Sequence, residues 1–506
     1  MQQLLSPIRK IFRTAVGRMA FILFILMMLA ALYLGLQGIN LLAPAPALAV
    51  AIIAIAFLLL SLTISYLASS APTQTTLPDQ PAIIGLDYLF ERWQKLQPNA
   101  TESSILHKQF LLLQAVAQQQ YPTAHHVEIL KYFSGSKLAS GTYLIQANGQ
   151  APKVLKFDRA DNIQKEINRY HDSVKLHLDF VAGEPFVPSA QQLQMQGESW
   201  GTIAYKFIGN DQSEIVQLQT FAEYYQTSKR QQTLTALAQI FRIMSPWWKY
   251  PANNEHHAQA PDLYAEYDRL TRRYHQIKMG LIDANHQIND LLAHNQLSSS
   301  VEQICLTEQW HMRNPLSWIR ENLMGQRLGE LAYDPGLRRD SIVHGDFHAG
   351  NILMSQHHEQ MTKAWVIDFP HTHVGPTVQD IARLEAEVLF GLVEATAVQQ
   401  LGLEGLYTLG CALLPMTSHK QPSLACLLPD PLPTSWQETA ELAKMWAVIK
   451  LMRQQASTYL NGNDARPYYL ALIHATMPIL YYRDRTPWQK LFAFLTSGIL
   501  CERLGQ

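Results

Sequence analysis

The sequence predicts an α+β protein in which a small antiparallel β lobe is followed by a large helical lobe, the pair preceded by two transmembrane helices. Three observations carry this. Residues 19–78 contain no Lys, Arg, Asp or Glu. From Val127 to Phe157, and again over 199–208, short β-branched and aromatic runs alternate with glycine-bearing loops. Beyond residue 210 the apolar positions recur at helical spacing for most of the chain.

The charge-free span holds two apolar runs, Met19–Leu42 and Ala47–Ala68, separated by Ala43-Pro-Ala-Pro46. Each exceeds the ~20 residues needed to cross a hydrocarbon core. With Leu, Ile, Phe and Val contributing roughly −0.3 to −0.6 kcal/mol each, both would insert. Arg9, Lys10, Arg13 and Arg18 precede the first run, and the short turn carries no charge. The positive-inside bias therefore puts residues 1–18 in the cytoplasm and returns the chain to that side, with the hairpin 19–68 in the inner (cytoplasmic) membrane as two spans. An alternative makes residues 1–45 a signal peptide and the second run a stop-transfer segment. Either route leaves the remainder facing the cytoplasm.

Residues 69–82 are polar and proline-punctuated, a linker by composition. Residues 83–120 show helical spacing (Leu86, Leu89, Phe90, Trp93; Ile105, Phe110, Leu111, Leu113) and predict two juxtamembrane helices, which either pack on the following domain or recruit a protein partner. Together 69–121 form a linker region. A formal net charge of −1 gives no reason to expect nucleic acid as a partner. Cys305, Cys411, Cys426 and Cys501 are widely spaced with no CxxC pair, and are expected to be reduced, buried thiols. The histidine pairs His125-His126, His256-His257, His357-His358 and His371/His373 lack the spacing of a zinc site.

A β lobe is expected over 122–210. Val127–Phe133 and Thr142–Ala147 flank Ser134-Gly-Ser-Lys-Leu-Ala-Ser-Gly141, so Gly135, Ser136 and Gly141 could cover phosphates with backbone N–H groups, or could be no more than a hairpin turn. In Val154-Leu-Lys-Phe157 the strand period puts Val154 and Lys156 on one face, the first to roof a base and the second to reach phosphates, with Lys153 pointing to solvent. Asp161–Tyr170 reads as a helix whose stripe Ile163, Ile167, Tyr170, Val174 includes Glu166. A carboxylate within an apolar stripe needs a partner, and Lys156 is the candidate. Residues 205–208 predict a hinge running past a nucleotide base.

The most specific segment is Ser341-Ile-Val-His-Gly-Asp-Phe-His-Ala-Gly-Asn-Ile-Leu353 with Trp365-Val-Ile-Asp-Phe369. An apolar strand delivers His344 and Asp346, Asn351 follows five residues on, and a second strand ends at Asp368. This is the layout of a phosphoryl-transfer loop: Asp346 takes the proton of an attacking hydroxyl, while Asn351 and Asp368 hold Mg²⁺ on the phosphates of ATP. His344 and His348 would orient the loop, with His344 grouped alongside Asp346 among the catalytic residues.

His-Gly-Asp-Phe-His-Ala-Gly-Asn followed by Ile-Asp-Phe resembles the aminoglycoside phosphotransferase and choline kinase group of the protein-kinase-like fold. The likeness is sharp over 341–385, fainter over 127–210 and absent from the first hundred residues. It implies a two-lobed kinase-like architecture with an N-lobe at 122–210 and a helical C-lobe at 211–506. It implies that Lys156–Glu166 is the N-lobe ion pair, that Asp380 in Gly375–Leu384 braces the catalytic loop from beneath, and that the insert 255–335 builds the acceptor site. Only residues 369–379 separate Asp368 from Asp380, with no Ala-Pro-Glu anchor for a peptide, and Pro370 stands where protein kinases often have glycine. The expectation is a membrane-anchored, cytosol-facing, Mg·ATP-dependent phosphotransferase acting on a hydroxyl or amine of a small-molecule or lipid-linked acceptor. The alternative is a nucleotide-binding pseudokinase serving as a membrane signalling module.

Overall fold

A computed structural model of the protein describes residues 82–84, 113–115, 117, 121–133, 141–147, 150–174, 193–195, 198–206, 218–249, 268–288, 301–306, 310–325, 327, 339–357, 360–415, 431–432, 434–437 and 439–504. All belong to one unit, residues 81–506. The basic start 1–18, the paired spans 19–68, most of 69–121, and Gly135 and Ser136 lie outside the described residues. Among the described residues no helix is long and apolar enough to cross a membrane.

Six strands make the first sheet: β1 (Ala82–Ile84), β2 (His126–Phe133), β3 (Gly141–Ala147), β4 (Lys153–Arg159), β5 (Leu193–Met195) and β6 (Glu198–Lys206), in the order β1-β2-β3-β4-β6-β5. The pairs from β2 onward are antiparallel. β1 departs from expectation, since it runs parallel to β2 with Ile83 opposite Val127. Residues 83–84 were expected to be helical. A three-residue Ala-Ile-Ile segment has no room to express a helical period, and its β-branched residues pair with the open edge of β2. Further along, Leu113 and Ala117 of a helical stretch are buried against Tyr121, Val127, Tyr143 and Leu155, so this piece of 83–120 packs on the sheet.

The period-two rule sorts the two faces. Tyr143, Ile145, Leu155 and Ala204 pack on one side; Leu144, Val154 and Ile203 pack on the other with Ile163, Leu353 and Trp365. Helix α1 (Ala160–Arg169), extended by a π turn to Val174, contributes Ile163 and lies close over β6. Gly201 permits that approach: a Cβ there would stand 3.0 Å from the Ile163 Cβ and 3.2 Å from the Ala160 Cα.

The remainder is mainly helical: α2 (Phe221–Thr227), α3 (Arg230–Lys249), α4 (Asp268–Arg272), α5 (Tyr274–Ile288), α6 (Pro315–Trp318), α7 (Val378–Glu387), α8 (Ala395–Leu413), α9 (Thr434–Gln437), α10 (Ala440–Ser457), α11 (Arg466–Thr476) and α12 (Pro487–Leu504). The stretch expected to be helical up to Asp340 also contains β7 (Leu218–Thr220), β8 (Gln303–Cys305) and β9 (His311–Arg313). Strands this short leave no period to read, and β7 exists by pairing with the later strand β11 (Ile352–His357). The β8–β9 hairpin turns Ile304 inward and exposes Cys305, contrary to the expectation of a buried thiol; its Sγ lies 3.0 Å from the His311 Nδ1. Cys426 lies outside the described residues. α11 and α12 are buried along most of their length, which makes 468–482 core, as its His474 and Pro478 suggested.

Candidate active site

Two hairpin-like pairs carry the loop. β10 (Asp340–Val343) pairs with β13 (His373–Pro376), and β11 pairs with β12 (Gln360–Val366), Ile352 opposite Val366. Residues 344–351 leave the first pair and enter the second, so His344, Asp346, Asn351 and Asp368 all sit at neighbouring strand ends. Phe347 and Phe369 pin the loop into the core, with ring centroids 5.7 Å from Trp248 and 6.0 Å from Trp247.

Asp380, in the first turn of α7, is fully buried beneath the loop. It accepts from the His344 N (2.8 Å), the Gly345 N (3.0 Å) and the Trp248 Nε1 (3.0 Å). Burial pushes its carboxyl pKa up, opposed by the neighbouring His344 and by these N–H donors. Gly345 has φ +77°, and a Cβ there would stand 2.3 Å from the His371 carbonyl oxygen, so only glycine closes this turn. The His344 ring is buried, with Nε2 3.0 Å from the Ile367 O and Nδ1 accepting from the Asp346 N at 3.3 Å. Both nitrogens are thus committed to the main chain. His344 is a positioning residue, not a proton carrier facing solvent.

Asp346 remains one-third exposed, with the Arg383 Nε 3.2 Å from its Oδ1 and the His348 Nε2 3.7 Å from its Oδ2. Burial would raise its pKa, but the Arg383 guanidinium, then His348, His344 and His371, hold it far below the usual carboxylate range. Burial disfavours the charged forms of His348 and His371 and pushes both pKa values down. The His348 Nδ1 accepts from the Gly350 N at 3.1 Å and so caps the turn into β11. Asn351 donates from Nδ2 to the Asp346 O (3.0 Å), which turns its Oδ1 away without a partner among the described residues.

Asp368 has φ +74°, rare for a residue with a side chain, two residues before Pro370. Its Oδ1 lies 2.5 Å from the Lys156 Nζ, and the same ammonium lies 2.6 Å from the Glu166 Oε2. Glu166 is buried, so Lys156 supplies the partner its position in the apolar stripe demands. Burial disfavours the Lys156 ammonium, yet Glu166 and then Asp368 outweigh it, and its pKa stands above the ordinary value. Val154 shares the Lys156 face, buried against Leu144, Ile203, Leu353 and Trp365. Gly141 opens β3 opposite Phe157, and in the hinge region Tyr205 pairs with Val154 in the β4–β6 register. Residues 207–208 lie outside the described residues. The Lys153 ammonium sits 5.1 Å over the Tyr121 ring, where solvent was expected.

Sequence reasoning missed Arg383, Glu387, Arg485 and Trp248. The first two stand four apart on α7, in register with Asp380, and this spacing was the one signal available. Arg485 comes from 98 residues further on to reach the Glu387 Oε1 at 2.8 Å, and nothing local announces it.

A family model described as Ternary complex associated domain 9 matches residues 281–481, which includes the loop from His344 to Asp380. No curated protein matches. Among solved structures, an amicoumacin kinase complex with AMP-PNP and Ca²⁺ is similar at 11% identity and TM-score 0.35, over 76% of this chain and 86% of that one. A GDP complex of an aminoglycoside 2′-phosphotransferase-IIIa variant has 14% identity and TM-score 0.35, covering 73% and 88%. Choline kinase from Cryptosporidium parvum has 9% identity and TM-score 0.35, covering 77% and 94%. TM-scores this low carry no functional argument, and the geometry stands on its own.

Proposed function

We propose that the chain is an ATP-dependent phosphotransferase of protein-kinase-like architecture, with an N-lobe at 122–210 and a C-lobe at 211–506, acting on a small-molecule or lipid-linked hydroxyl. The single observation carrying this is the convergence of Lys156, from the sheet, on both Glu166 and Asp368, the latter 212 residues distant in sequence. Such a convergence ties a phosphate-reaching lysine to an acidic strand end beside Asp346 and Asn351.

In this reading Lys156, held by Glu166, would place the α- and β-phosphates, and Val154 would roof the base. Asn351 and Asp368 each keep one oxygen without a donor among the described residues, a hard-oxygen pair suited to Mg²⁺. When bound, that ion would neutralise charge on the transferring phosphate. Asp346, an ionised carboxylate at any physiological pH, is a weak base; its work is to accept the acceptor's O–H hydrogen bond and aim the oxygen. Asp380 and His344 hold the loop in shape. The charge-free span 19–68 supports anchoring to a membrane with the catalytic unit on the cytoplasmic side.

A second reading, a nucleotide-binding module within an assembly, draws on the match to Ternary complex associated domain 9 and on Arg383 tying up the Asp346 carboxylate. One experiment separates the two. The purified full chain is titrated with Mg·ATP and then offered a broad panel of hydroxyl and amine acceptors with γ-labelled ATP. Transfer to at least one acceptor, with nucleotide affinity falling about tenfold or more in Lys156→Met, is the expected result. Binding without transfer to any acceptor favours the second reading, and no binding defeats both.

A further inference from the structure

We infer, resting on the phosphotransferase reading, that the acceptor is an anion: a hydroxyl compound carrying a phosphate or carboxylate group that Arg269 and Arg383 recognise beside Asp346. Arg269 lies on α4, within the segment 255–335, and its Nη2 is 3.1 Å from the Tyr482 hydroxyl and 3.3 Å from that of Tyr481. Among the described residues it meets no carboxylate within 4.0 Å. Its neighbour Arg272 pairs with the exposed Asp268. Tyr482 lies in the field of both Arg269 and Arg383, and the two guanidiniums lie in each other's field. Each tyrosine accepts from Arg269, which leaves its own proton without an acceptor among the described residues. Two phenols and a guanidinium therefore gather O–H and N–H donors at this place.

The carboxylates at hand are already engaged. Asp346 holds the Arg383 Nε, and Glu387 holds Arg485 at 2.8 Å and the Arg383 Nη1 at 3.6 Å. Arg485 also meets Asp484, which is largely exposed. His474 nearby has its pKa driven down to about 3, by desolvation and then by Arg269 and Arg383, and so adds no charge near neutral pH. A quaternary ammonium or a polyamine entering there would face two guanidiniums, and the one acid open to it, Asp346, is already paired with Arg383. An oxyanion would find a planar donor fork flanked by two hydroxyls, the arrangement suited to bidentate recognition.

The test uses the full chain loaded with Mg·AMP-PNP, titrated calorimetrically with inorganic phosphate, glycerol 3-phosphate, glycerate, glycerol and choline. The anions are expected to bind at least tenfold more tightly than glycerol or choline, and the ratio of the two phosphate probes to glycerate distinguishes a phosphate from a carboxylate group. Arg269→Gln should cost about tenfold in anion affinity (about 1.4 kcal/mol) with nucleotide affinity within twofold, and Tyr482→Phe a smaller part of it. Choline or glycerol binding as well as the anions, or Arg269→Gln binding anions like the parent, overturns the inference. Transfer from ATP to none of a broad panel, with selective anion binding retained, defeats the enzyme reading while supporting the anion site. Transfer chiefly to uncharged or cationic acceptors does the reverse.

Discussion

Helix α7 carries acid–base pairs on two faces, and the two have opposite fates. On one face Asp380, Arg383 and Glu387, at i, i+3 and i+7, look toward the loop. Off that stripe Glu385 is fully buried, where it accepts from Arg453 Nη2 at 2.6 Å and Nε at 3.1 Å, and from the Tyr468 hydroxyl. Arg453 completes the set by donating to the Leu413 carbonyl. Both Glu385 oxygens are engaged by Arg453 and Tyr468 inside the helical core, so the cluster holds helices together. The Asp346–Arg383 cluster is unfinished, with a carboxylate one-third open to solvent. The difference teaches that completeness of partnering, more than the presence of buried charge, separates scaffold from site.

The sharpest break of this comparison is Asp346→Asn. If Asp346 orients the attacking oxygen, transfer should fall about 10²–10⁴-fold, with Mg·ATP affinity within a few-fold, as steady-state transfer and nucleotide titration would reveal. Turnover at the parental rate would move Asp346 out of the chemistry and make both faces of α7 structural. On the closed face, Arg453→Met strands a buried carboxylate and should cost about 3–5 kcal/mol of stability, read by calorimetry. Arg453→Met combined with Glu385→Leu should recover most of that loss, because no unpaired charge remains. Arg383→Met should cost clearly less, since Asp346 can turn to water.

How much of this was legible follows from distance along the chain. The loop was readable because its residues are consecutive: strand, His344, Asp346, Asn351, strand, Asp368. Lys156–Glu166 was readable because a carboxylate in an apolar stripe has to find a cation, and one lay ten residues back. Arg383 and Glu387 were half-legible from helical spacing. Trp248, Arg485 and the Glu385–Arg453 pair were not, because each joins segments brought together only by tertiary packing. β1 and β7 to β9 were missed because three residues carry no period, and pairing with a distant edge decides their state. The predicted hairpin 19–68 lies outside the described residues, and its expectation stands on composition alone.

An intermediate effect is expected beneath the loop, at Trp248. Trp248→Phe removes one of the three N–H donors to Asp380 while keeping most of the ring's packing against Phe347. A hydrogen bond to a charged group contributes about 1.5–3 kcal/mol, and two donors remain, so a loss near the lower end is expected in a denaturant melt. A stability unchanged by this variant would mean that the two main-chain N–H groups alone satisfy Asp380.

The smallest effect is one of pH. Burial favours the neutral form of Asp346, but Arg383 and the nearby histidines hold its folded pKa far below the ordinary carboxylate range. A depressed folded pKa contributes stability that is fully present above the unfolded value and is lost only as pH falls through the folded one. The parent should therefore keep Asp346 ionised, and the site formed, down through the ordinary carboxylate range. In Arg383→Gln the first opposing charge is gone, so burial raises the folded pKa and the acid limb of the transfer rate moves upward. At neutral pH both forms stay ionised, and the rate should change far less than in Asp346→Asn. His348 and His371, whose pKa values burial lowers, also take up protons on the acid side in both proteins, so the readout is the shift between parent and variant. An acid limb at the same pH in parent and Arg383→Gln would mean that Arg383 belongs with Arg453, as scaffold on both faces of one helix.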